Sequence, residues 1–246
     1  MGEVSGSTAI ASDVQRQGVS ALRRAANFFY DNLPTGDRLG EFFYATWMLV
    51  VSVGILNSFF RIESQRALII TLFIAVAVNL TWGIIDGISV MYTNMIVRAE
   101  ADRLAYALRT RRNDPSVRDE AIASFEDSVV GALSPEDQEK VVDMIQAGDP
   151  TADPAKTRYT ATKSNRHYAV AILLIELMTT VPVLLPLIVI PTAIIAVWVS
   201  RFVAIAIMIL LGISYARHTN RNPVLAGLFL GALVSGVAGF SWYLGW

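Results

Sequence analysis

Cysteine is absent from this chain. That excludes disulfides, thiolate metal sites and cysteine nucleophiles. Histidine is scarce: His167 and His218 each sit at the end of an apolar run among basic residues, an interfacial setting rather than a ligand set. No basic run suited to nucleic acid occurs, so none is expected as a partner. No P-loop, dinucleotide-binding glycine loop, His-Glu-x-x-His or nucleophile elbow is present. With no paired nucleophile and base, no enzyme is expected. No compact apolar region follows Met1, so no cleaved signal peptide is expected.

Charge is the last thing in short supply. Charged residues make up 17% of the 246, hydrophobic residues 54%, and mean hydropathy is +0.47. The charges crowd into residues 1–41 and 98–166. A bilayer imposes that segregation, because a charge at its centre costs roughly 2.5–3.5 kcal/mol on insertion scales.

Five stretches reach the roughly 20 apolar residues a spanning helix needs. They run from about Phe42 to Phe60, Ala67 to Val97, Tyr168 to Leu187, Thr192 to Tyr215 and Val224 to Trp246. Pro182, Pro186 and Pro191 divide the third from the fourth, and predict a bend and a tight return. A four-span count with one long bent helix is the alternative, but about 48 apolar residues are too many for one crossing. The expected fold class is thus an all-α integral membrane protein with five transmembrane helices. A helical insert separates helices two and three.

The basic residues set the orientation. Arg16, Arg23, Arg24 and Arg38, the insert, and Arg217 with Arg221 all fall on one side of a five-span chain. The N-terminus and insert are therefore expected to be cytoplasmic, and the C-terminus outside or lumenal. The expected organisation is a cytoplasmic segment over 1–40, spans one and two over 41–97, a three-helix insert over 98–166, and spans three to five over 167–246. Within the first segment, residues 13–33 can form an interfacial amphipathic helix or a partly ordered tail.

In the insert, the first helix continues span two to Arg112. The second starts at Asp114-Pro115 and the third at Ser134-Pro135-Glu136-Asp137, each with a capping residue before a first-turn proline. The insert is rich in acids, and Glu100, Asp102, Glu136 and Glu139 are candidate ligands for a hard cation. Capping and the helix dipole also call for acids near helix starts.

Span two carries the main signal. Asn79, Asp86, Thr93 and Glu100 recur every seven residues and form one stripe. Asp86 is an intramembrane carboxylate, a functional-site hypothesis by default. Gly83 and Gly87 flank it and allow a close neighbour. Met91 lies nearby and could add a thioether ligand. Glu176 is a second carboxylate within a span; Arg201 of span four can either snorkel outward or pair with it. Asn79, Asp86, Thr93 and Glu176 are the expected transport pathway. Asp86, Met91, Glu100, Asp102, Glu136 and Glu139 are the expected metal ligands. Gly227, Gly231, Ser235 and Gly239 repeat every four residues, a small-residue ridge made for helix packing.

This pattern resembles the VIT/CCC1 family of vacuolar iron transporters. Pro182-Val-Leu-Leu-Pro186 is similar to that family's proline-rich end of span three, and Ala206 to Gly212 to its span four. Asn222-Pro223 through Gly227, Gly231, Gly236 and Gly245 resemble its span five. Asn79-Leu-Thr-Trp-Gly-Ile-Ile-Asp86-Gly87 looks like a span-two variant of divergent members. The likeness covers about residues 40–246. It implies a homodimer that exports ferrous or manganese ions from the cytosol in exchange for protons, with the metal as substrate and no permanent cofactor. Two departures matter. The family's span-one Asp-Gly motif is missing, since residues 41–60 hold no aspartate, and the insert's glutamates are thinned. The alternative is therefore a non-transporting membrane scaffold of the same fold, whose insert at 98–166 binds a protein partner.

Overall fold

A computed structural model of the chain describes residues 23, 27–60, 64–148 and 153–243. Most of the expected interfacial helix, residues 13–22 and 24–26, lies outside the described residues. Among the described residues the elements are helical, with no strand. We label the helices α1 (Thr35–Phe60), α2 (Gln65–Thr110), α3 (Pro115–Ala123), α4 (Pro135–Ala147), α5 (Lys163–Val189), α6 (Ala193–His218) and α7 (Pro223–Tyr243). Short 3-10 turns occupy Val129–Ala132 and Pro154–Lys156.

Five of these helices, α1, α2, α5, α6 and α7, are long and apolar enough to cross a membrane. Their surfaces fit that reading. Phe73 is 73% exposed, Phe202 63% and Phe229 67%. Water would penalise such large apolar faces, whereas lipid tails accept them. The chain has the character of a multi-pass membrane protein.

The chain forms two compact units, residues 1–89 with 166–246, and residues 90–165. The expected insert boundary at 98 thus falls inside α2, which passes from one unit to the other as a single helix.

In the first unit, Leu49 and Val53 of α1, Leu184 and Leu187 of α5, and Met208 of α6 share a buried apolar core. α6 and α7 pack most closely. A Cβ on Gly212 would stand 2.4 Å from the Ala226 carbonyl oxygen, so only glycine admits that approach. Gly227 and Gly231 lie against Ile209 in the same seam. The expected ridge is used only in part. Ser235 donates back to the Gly231 carbonyl, and Gly239 has open space around it.

The expected tight return falls at the last of the three prolines. Pro182 and Pro186 lie inside α5, which runs on to Val189, and the chain turns only at 190–192. A proline removes one amide from the helix ladder, and a membrane helix tolerates this where a neighbour offers polar contact. Here Ser200 of α6 donates to the Val183 carbonyl at 2.6 Å, between the two prolines.

The second unit follows its caps. Asp114 accepts from the Ser116 amide and Pro115 opens α3. Ser134 accepts from the Asp137 amide and donates to its carboxylate, and Pro135 opens α4. Leu108, Val117, Ala121 and Val142 form its core. Arg118 bridges α3 to α4, at 2.8 Å from Asp143 and 3.5 Å from Glu139. Asp143 above all holds the Arg118 guanidinium even more firmly protonated than usual.

Candidate functional site

The approach of α5 to α2 creates the site. Gly83 leaves room for Glu176: a Cβ there would stand 3.0 Å from Glu176 Cγ. Gly87 faces the Ala169 backbone, where a Cβ would meet the carbonyl oxygen at 2.9 Å. Asn79 fixes the register between the two helices. Its amide nitrogen donates to the Glu176 carbonyl at 3.1 Å and to Thr180 Oγ1 at 2.6 Å.

Asp86 and Glu176 are joined there by Glu41 of α1. One carboxylate oxygen from each of the three lies within 4.8 Å of the other two. Glu176 is 1% exposed. One oxygen each of Glu41 and Glu176 is buried with no hydrogen-bond partner among the described residues. One turn before Glu41, Asp37 accepts a hydrogen bond from Tyr168, which ties α1 to α5 beside the trio. The carboxylates come from three helices that are each long and apolar enough to span a membrane.

Such a trio can hold a divalent cation. Oxygens around one ion at 2.0–2.6 Å stand at most about 4–5 Å apart, twice the bond length. The donor set is oxygen only, which suits hard and borderline cations. Its buried, unpartnered oxygens are also where a cation or protons would be taken up.

The remaining expected ligands are placed elsewhere. Thr93 and Glu100 continue the seven-residue stripe along α2 but are exposed. Met91 lies five residues beyond Asp86, about 140° around the helix from it. Asp102, Glu136 and Glu139 are exposed, and Glu139 is turned to Arg118. Among the described residues, the only cluster of three or more acidic or histidine side chains within reach of one ion is Glu41, Asp86 and Glu176. Arg201 does not meet Glu176 in that cluster. It is buried over the Trp198 ring, 5.2 Å from its centroid, and its Nη2 has no hydrogen-bond partner among the described residues.

Glu41 is the residue that sequence reasoning missed. It stands at the charged edge of the first apolar run and was counted as the boundary of the span. Its spacing from Asp37, one helical turn, was the available signal.

No protein-family model matches the chain, and no curated protein matches it.

Proposed function

We propose that this protein is a membrane transporter that exports a divalent metal ion, iron or manganese, from the cytosol in exchange for protons. The observation that carries the reading is the Glu41–Asp86–Glu176 trio, three carboxylates from three spans with oxygens within 4.8 Å. Carboxylates held this close, one of them buried and two half-buried, keep their charge beside a cation and share protons without one. Cation and protons thus compete for the same oxygens, so that taking up one releases the other, which is the requirement for coupled exchange. Asn79 acts as a positioning residue, holding Glu176 against α2.

The family resemblance belongs to the same proposal. In it Glu41 supplies, from span one, the carboxylate that the missing Asp-Gly motif would have carried. The direction of export rests on the basic residues at the N-terminus, in the second unit and after α6, which put those segments in the cytosol. A homodimer is part of the same expectation.

The test is metal binding by the purified full-length protein, by calorimetry with ferrous, manganous, zinc and magnesium ions. Asp86→Asn and Glu176→Gln should each weaken binding at least about tenfold, as loss of a charged ligand does. Both should abolish metal-driven proton flux in liposomes. Wild-type flux from Asp86→Asn protein sinks the proposal.

One observation favours the scaffold reading instead. The second unit exposes Val129 at 89% and Met144 at 74%, and apolar side chains so placed suit a protein partner. No metal binding at all, with capture of a partner lost in Met144→Glu, would favour it.

A further inference from the structure

A cavity of about 510 Å³ in the first unit has a mixed lining of basic and apolar residues. Arg38 in the first turn of α1 and His218 in the last turn of α6 place the basic residues at helix ends. Phe42, one turn further into α1, and Met178, well inside α5, place the apolar residues deeper along their helices. No aspartate or glutamate is among its described lining residues.

Arg38 is poised rather than spent. Its Nη2 donates to Thr35 Oγ1 at 2.7 Å, and its guanidinium lies 4.0 Å from the centre of the Tyr30 ring. Its Nη1 is buried with no hydrogen-bond partner among the described residues. A guanidinium carries five donors and no acceptor, so this cavity offers hydrogen bonds to an anion. His218 lies in the last turn of α6 beside Arg217 and brings a further donor.

The apolar lining is equally informative. Met178 is 52% exposed on a helix apolar enough to span a membrane. In a membrane-spanning α5 the exposed face of Met178 meets the hydrocarbon layer. A soluble anion would leave the surfaces of Phe42 and Met178 uncovered, whereas an acyl chain covers them.

We propose that this cavity is a binding site for an anionic phospholipid, with its phosphate on Arg38 and His218 and the start of an acyl chain against Phe42 and Met178. Basic pockets between membrane helices recognise anionic headgroups by this combination. The site is separate from the carboxylate trio and does not depend on transport.

The test is native mass spectrometry of the purified full-length protein in neutral detergent, titrated with phosphatidylglycerol and with phosphatidylcholine. The wild type should retain a single phosphatidylglycerol about tenfold more strongly than phosphatidylcholine, the value of one charge-assisted contact. Arg38→Gln should erase that preference. Met178→Trp adds bulk to the apolar lining from an exposed position and should lower retention of the anionic lipid while leaving the basic residues intact. Arg217→Gln, at the same helix end but outside the cavity lining, should bind as the wild type does. Equal retention of the two lipids overturns the proposal. So does equal loss in Arg217→Gln, which would mark general surface charge. Displacement of the lipid by inorganic phosphate would mark a soluble-anion site and overturns it as well.

Discussion

Gly83 lies directly beneath the side chain of Glu176. A Cβ at position 83 would stand 3.0 Å from Glu176 Cγ and 3.1 Å from its Cβ. The glycine is thus a condition for the buried carboxylate on the neighbouring helix. A larger residue there must push α5 away or turn Glu176 aside, and either movement opens the trio.

Gly83→Ala and Gly83→Val form a graded test. Alanine asks Glu176 to give by a few tenths of an ångström, while valine adds two methyl groups to the same contact. Supporting residues around a metal affect affinity by about 10- to 100-fold. Gly83→Val should weaken manganous-ion binding by at least about tenfold, and Gly83→Ala by less. Thermal unfolding of the same samples separates a lost site from a lost fold. Unchanged affinity in a folded Gly83→Val protein would mean that the trio is not the binding site.

Asn79 is 1% exposed and joins α2 to α5 through two hydrogen bonds. Inter-helical polar contacts within membranes contribute about 0.6–2 kcal/mol each. Asn79→Leu should destabilise the helical unit by an amount of that order, read by unfolding in mixed micelles. Pairing it with Thr180→Val removes both side-chain partners. The double variant should lose less than the sum of the single changes, because no buried group is left unpaired by the other's removal. Strict additivity would show that the two side chains are not coupled.

What could be read from sequence was local. Asp114-Pro115 and Ser134-Pro135 mark helix starts because capping involves residues two or three apart, and the structure starts α3 and α4 there. The spans were legible because their length and apolarity are fixed by the bilayer. Partner choice was not legible. Glu176 could be paired in expectation with Arg201, a basic residue on the next span, yet it meets two other acids. Opposite charge was the only available guide, and it cannot reveal a cluster that needs a cation or protons. Pro182 and Pro186 fall within the expected third span, but the contact that accommodates them could not be read from sequence. Inside α5 the Ser200 hydroxyl bonds the carbonyl of Val183 between them.

Gly212 of α6 and Gly239 of α7 should respond oppositely to an added methyl group. Gly212, across the seam from Gly227, has backbone 2.4 Å from its would-be Cβ, and backbone cannot rotate away. Gly212→Ala should destabilise by about 1–3 kcal/mol, as overpacking does. Gly239 has nothing within 4 Å. Gly239→Ala should be neutral or stabilise by up to about 1 kcal/mol through helix propensity. If Gly239→Ala instead weakens self-association in detergent, that face is the seam between two copies of the chain.

Acid should loosen α4 through Asp137. Its carboxylate accepts from Lys140 Nζ at 2.7 Å and from Ser134 Oγ at 2.9 Å. These bonds, the lysine's first, hold the carboxyl below its ordinary value of 3.8. A carboxyl depressed in the folded state stabilises that state above its unfolded value, and the contribution disappears as pH falls through the lower folded value. The protection factors of amides 136–147 against hydrogen exchange should therefore fall as the pH drops below 3.8. Asp137→Asn keeps the side-chain shape but not the charge, and should flatten that part of the profile. The Lys140 contact is exposed, so salt should shrink the effect. An acid transition in α4 that is the same in Asp137→Asn as in the wild type would assign the pH response to another group.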